Sequence, residues 1–157
     1  MNHRDRHNIE LLAPAGSFES LKAAIVNGAD AVYLGGGKFN ARVNASNFSE
    51  DELRRALDYA HERDVRIYIT LNTLLKNEEM EAALRFAAFA YREGADAFII
   101  QDQGLLKVLR EQLPELVIHA STQMTVTNSE SVAALEKLGV KKFVLAREQI
   151  GRASCRE

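Results

Sequence analysis

The densest group of hydrogen-bonding side chains in this 157-residue sequence is His119-Ala120-Ser121-Thr122-Gln123. It directly follows an apolar run beginning at Leu116. A histidine there suits an acid, a base or a polar anchor, and equally a satisfied buried histidine. Similar polar groups follow the other apolar runs: Pro14-Ala-Gly16-Ser17, Gly35-Gly36-Gly37, Asn72-Thr73, Gln101-Asp102-Gln103-Gly104 and Arg147-Glu148. Asp102 fits either a helix N-cap or an inward carboxylate. Gly16, Gly35 and Gly36 fit tight turns or the close approach of backbone N–H groups to a ligand. Asn72 and Thr73 fit a cap or a turn. Arg147 and Glu148 are adjacent, so on an extended strand only one of them faces a barrel mouth. His61, on a helix, is expected to be solvated. The segment from Lys38 to Asn47 carries Arg42, Asn44 and Asn47 between Phe39 and Phe48, a composition that suits an anionic or nucleotide-like ligand.

These groups share a position because of the elements that must carry them. Short β-branched runs alternate with amphipathic stretches, the pattern of βαβ units and a parallel sheet. Strands are predicted at 9–13, 31–34, 66–71, 97–101, 116–119 and 142–146. Helix signals fill the gaps. Ser17 opens the first helix and Asn27-Gly28 closes it; Ser49 with Glu52 forms a capping box for the second, with Leu53, Ala56, Leu57 and Ala60 on one face. Asn77 is expected to cap the third, which Gly94 stops. Pro114 ends the fourth, and Asn128 or Ser129 begins the fifth, ended by Gly139. The segments Gly28-Ala-Asp-Ala-Val-Tyr-Leu34, Gly94-Ala-Asp-Ala-Phe-Ile-Ile100 and Gly139-Val-Lys-Lys-Phe-Val-Leu145 repeat one helix-stop, turn and strand unit. Repetition of that unit argues for a (β/α) barrel, whose chemistry lies at the carboxyl ends of its strands. The expected fold is therefore α/β: a truncated (β/α)8 TIM-type barrel of about six parallel strands alternating with helices.

Composition limits the functional classes. The formal charge is −2, from 20 Lys and Arg against 22 Asp and Glu, which supplies no global drive toward nucleic acid or anionic membrane. Residues 1–8 are polar and expected to be a disordered lead-in, without the apolar core of a signal peptide, and no apolar run has the length of a membrane span. A cytoplasmic protein without membrane contact is expected. Its one cysteine, Cys155, excludes an internal disulfide and a multi-cysteine metal site within this chain.

Several stretches resemble the N-terminal half of the collagenase-like U32 peptidases. They are Glu10-Leu-Leu-Ala-Pro-Ala-Gly-Ser17, Gly28-Ala-Asp-Ala-Val-Tyr-Leu-Gly-Gly36, Ile69-Thr-Leu-Asn72, His119-Ala-Ser-Thr-Gln123 with Val126-Thr-Asn128, and Val144-Leu-Ala-Arg-Glu148. Phe39-Asn-Ala-Arg42 and Asn47-Phe48 are similar to the family's second loop, with departures at 43–46. The resemblance covers about residues 9–148 and implies a TIM-type barrel. It also implies a family named for proteolysis whose better-understood members are oxygen-independent hydroxylation enzymes or factors acting on tRNA, rRNA or a ubiquinone precursor. In those members four cysteines of the second half hold a 4Fe–4S cluster, so no cofactor is expected within this chain and the parent is expected to carry the cluster. The alternatives are a genuine peptidase and a non-catalytic barrel that binds RNA or a partner. What carries over is the rim: Pro14, Gly16, Gly35, Gly36, Arg42, Asn72, Ser121, Thr122 and Gln123 as substrate-binding candidates, with His119, Asp102, Arg147 and Glu148 as candidates for catalysis.

Three expectations concern the extent of the chain. Residues 9–148 read as a partial barrel, so this chain alone is expected to be inactive and to self-associate through its open edges. The tail at 149–157, Gln-Ile-Gly-Arg-Ala-Ser-Cys-Arg-Glu, lacks apolar periodicity. It reads as the translation of CAG ATC GGA AGA GCG TCG TGT AGG GAA, which agrees with a common sequencing adapter; an independent clone reproducing those codons would remove that reading.

Overall fold

The computed structural model describes residues 9–36, 39 and 48–146. Strands β1 (Leu12–Ala15), β2 (Ala31–Gly35), β3 (Arg66–Leu71), β4 (Ala97–Ile100), β5 (Ile118–Ala120) and β6 (Val140–Phe143) form one sheet in sequential order. Every pairing is parallel. Between them run helices α1 (Phe18–Val26), α2 (Glu50–His61), α3 (Asn77–Arg92), α4 (Gln103–Gln112) and α5 (Ser129–Lys137), and a short 3-10 turn (Thr122–Met124) follows β5. The expected α/β architecture of six strands alternating with helices is the observed one.

The strands have two different faces. Val32, Leu34, Ile67, Ile69, Phe98, Ile100 and Ile118 belong to the main core, with Leu21, Leu53, Leu57, Leu105 and Leu109 from the helices. The alternate residues Ala31, Tyr68, Ala97 and Ile99 form a second cluster with Leu12 and Tyr33. A two-residue period thus sends one set toward the helices and the other into the concavity. On α2 the buried residues are Leu53, Ala56, Leu57 and Ala60, the four that the spacing selects. Each fully buried leucine contributes about 1.5–3 kcal/mol of transfer free energy.

The sheet curls strongly. Five inter-strand spacings separate β6 from β1, about 24 Å if the sheet were flat. Yet Lys142 Nζ of β6 lies 2.9 Å from Glu10 Oε1, just ahead of β1. Two side chains meet across that gap only when the inner faces turn toward one another, as in an open barrel.

The repeated unit has a clear physical role. Gly28, Gly94 and Gly139 take φ of +89°, +98° and +83°, the left-handed turn that ends each helix. In the first two copies the following aspartate ties the turn to the preceding strand: Leu11 N–H donates to Asp30 Oδ2 at 2.7 Å, and Ile67 N–H to Asp96 Oδ2 at 2.7 Å. The third copy has lysine in place of aspartate, and Arg110 supplies the tie instead. Its guanidinium donates to Leu116 O at 2.7 Å and Gly139 O at 2.6 Å. His61 is exposed, as expected, and pairs with Asp96 at 2.9 Å.

The capping boxes of Ser17 and Ser49 are present, and Asn128 caps α5 through a bond from Ser131 N–H. The third helix differs from expectation: Lys76 is its N-cap, with Lys76 N–H donating to Glu79 at 2.9 Å, and Asn77 is already helical. Three strands also shift. β1 starts later and includes Pro14, which an edge strand tolerates because one row of its N–H groups is unpaired. β5 begins at Ile118 rather than Leu116, and β6 begins earlier, at Val140, with an irregular register between Ile118 and His119.

Candidate functional site

The carboxyl ends of the strands gather the expected polar groups, but most of those described already serve the fold. Gly16 N–H donates to Ser20 Oγ at 3.1 Å in the α1 capping network. Gly35 and Gly36 are buried at the end of β2. A methyl group on Gly36 would come within 2.0 Å of Phe86 Cζ, so any side chain there obliges the Phe86 ring of α3 to move. Asp102 is the N-cap of α4: its Oδ1 accepts from Leu105 N–H at 2.8 Å, and its Oδ2 accepts from Leu75 N–H at 3.2 Å. Both carboxylate oxygens are therefore committed to backbone donors, which decides between the two roles open to it in the sequence.

Ser121 caps the 3-10 turn by accepting from Gln123 N–H at 3.2 Å, and Thr122 donates to Leu145 O at 3.0 Å. Gln123 is exposed, Asn72 is half-buried with partners of its own, and Pro14 is exposed on β1. Arg42, Arg147 and Glu148 lie outside the described residues.

His119 stands apart. Thr70, His119 and Ser121 are the buried polar residues among those described. Thr70 donates to Leu34 O at 3.1 Å, and Ser121 has its cap. His119 is 5% exposed, and neither of its ring nitrogens bonds a described residue. Rather than closing β5, it sits at its centre, one residue before Ala120, with its side chain on the inner face. Burial and the neighbouring Lys142 charge lower its pKa to about 4, with Glu10 opposing the effect and Arg66 adding to it. At neutral pH it is an uncharged imidazole, with one nitrogen to donate and one to accept.

Beneath it lies a cluster that the sequence reading did not single out. The Tyr68 hydroxyl donates to Glu10 Oε2 at 2.8 Å, Lys142 Nζ donates to Glu10 Oε1 at 2.9 Å, and Arg66 pairs with Glu10 Oε2. Burial raises the pKa of Glu10, but the Lys142 and Tyr68 hydrogen bonds and both cations outweigh it, so the net direction is down. The Tyr68 phenol is pushed well up, by burial first and then by its bond to Glu10. The signal was present in Arg66-Ile-Tyr68-Ile-Thr70, where polar or aromatic residues alternate with isoleucine in a strand covered on both faces.

The residues present do not fit an iron–sulfur cluster. One cysteine cannot supply four thiolates, it lies outside the described residues, and no three His, Cys, Asp or Glu side chains among the described residues converge as metal ligands. No helix among the described residues is long and apolar enough to cross a membrane.

Residues 16–151 match the profile of Peptidase family U32. The chain belongs to that family. This U32 chain is 42% identical over 142 residues to the 23S rRNA 5-hydroxycytidine C2501 synthase of Escherichia coli, covering 90% of this chain and 21% of that protein. It is 34% identical over 139 residues to tRNA hydroxylation protein P1 of Bacillus subtilis, covering 88% of this chain and 33% of the relative. The U32 chain thus spans about a fifth to a third of the length of these curated relatives. Its fold is shared with the U32 peptidase Mk0906, with a TM-score of 0.66, 14% identity, and 92% of this chain matched to 62% of that one.

Proposed function

We propose that this U32 chain is the barrel portion of an RNA-hydroxylation protein, and that its inner face with His119 at the centre receives the base to be modified. The 42% identity over 142 residues to an rRNA 5-hydroxycytidine synthase carries the reading. The geometry supports it, because a neutral buried imidazole with both nitrogens unengaged by described residues suits the polar edge of an uncharged base. A 4Fe–4S cluster would supply redox chemistry, and its four thiolates would come from sequence beyond these 157 residues. This chain by itself would then bind without completing a turnover.

The test uses the full-length protein. Deleting its gene should abolish one hydroxylated nucleoside in digests of rRNA or tRNA, and re-expression should restore it. Intact nucleoside profiles, together with chelator-sensitive cleavage of peptides by the purified protein, would establish the peptidase reading in its place. RNA binding without any change in modification would identify a non-catalytic barrel.

A further inference from the structure

We propose that Tyr68 and Lys142 are positioning residues for His119, an inference that rests on the reading of His119 as the imidazole that meets the substrate. Three observations carry it. First, the Tyr68 and His119 rings meet edge to face, with centroids 4.8 Å apart and planes at 88°. Thr70 is level with Ile99, and Ile99 with His119, so Tyr68 stands one inner layer below the imidazole. The Tyr68 hydroxyl is anchored on Glu10, which fixes the tyrosine ring and through it the plane of the imidazole.

Second, His119 and Lys142 are register partners on β5 and β6. Paired positions of adjacent strands share a face, so the ammonium group and the imidazole face the same concavity. Lys142 turns down to Glu10 and also lies 3.4 Å from the Tyr68 hydroxyl. Third, among the described residues the charged and titratable groups around the imidazole are Arg66 and Tyr68 of β3, Lys142 of β6 and Glu10 ahead of β1, so two cations share one carboxylate. A proton on His119 would add a third positive charge with no further acceptor among these groups. The cluster ties the inner layer together and also holds the residue above it neutral and oriented.

Histidine C2–H exchange against pH, read by peptide mass spectrometry on the full-length protein, follows His119 without substrate. The wild-type midpoint should lie near 4. Lys142→Met should raise it by about one unit, and Glu10→Gln should lower it. Tyr68→Phe, which keeps the ring wall but loses its anchor on Glu10, should accelerate exchange above the midpoint modestly, and Tyr68→Leu, which removes the wall as well, should accelerate it further. A midpoint unmoved by Lys142→Met overturns the proposal. So does an upward shift in both charge variants, the result that general loosening would give, or equal exchange rates in the two Tyr68 variants. None of these readings depends on whether RNA is the substrate.

Discussion

Gly36→Ala separates two roles that a glycine at a strand end can have. If Gly36 exists to let a ligand approach the backbone, alanine should impair function and leave the fold alone. In the structure its added Cβ would lie 2.0 Å from Phe86 Cζ and 2.7 Å from Cε1. Carbon atoms rest at about 3.5–4.0 Å, so the ring must retreat by about 1.5 Å. Phe86 packs against the main core, and displacing it is an overpacking event costing about 1–3 kcal/mol. The smaller unfolded-state entropy of alanine returns about 0.4–1 kcal/mol, leaving a net loss of up to about 2.6 kcal/mol and about 1.3 kcal/mol at the middle of both ranges. Urea unfolding of the full-length protein, followed by near-ultraviolet circular dichroism, measures it. The decisive arm is a double-mutant cycle with Phe86→Leu: once the ring is trimmed, Gly36→Ala should cost less than about 0.5 kcal/mol. An undiminished penalty in the double variant, or no penalty in the single one, would refute the packing argument.

Two further outcomes follow from the site. The folded pKa of His119, about 4, lies below its ordinary value of 6.5, so between these values the unfolded chain takes up a proton that the folded protein refuses. Its contribution is neutral above that window, and stability falls as pH drops through it, by up to about 3 kcal/mol at the acid end. Urea unfolding at successive pH values should show that fall, and His119→Gln should flatten it; an unchanged slope would contradict the assignment. Asp102→Ala removes an N-cap and the acceptor for Leu75 N–H together, so the same unfolding assay should show a loss of about 1–2 kcal/mol. Asp102→Asn should recover part of it because its side-chain oxygen still accepts from Leu105 N–H.

Local chemistry made the fold legible. Ser49 with Glu52, the glycines at 28, 94 and 139, and the short β-branched runs each state a backbone requirement within a few residues, and each is met. Strand ends were less legible because pairing sets them. Pro14 sits within β1 because that strand lies at the sheet edge, and β5 is cut short by its irregular register with β6. The site was legible only as a list of residue types. His119 and the polar rim are visible in sequence, but the distinction between a rim side chain and a cap depends on where donors converge. Asp102 meets two backbone N–H groups, one of them 27 residues away. The Glu10 cluster left only the alternation at 66–70 as its trace in the sequence, because Lys142 comes to Glu10 from 132 residues away, through curvature of the whole sheet.

The most direct test of the functional account is mass spectrometry of nucleosides from purified 23S rRNA and bulk tRNA, comparing strains with and without the full-length gene. The account predicts that one hydroxylated nucleoside disappears on deletion, returns with the wild-type gene, and stays low when the gene carries His119→Leu. Identical nucleoside profiles in all of these strains would contradict it.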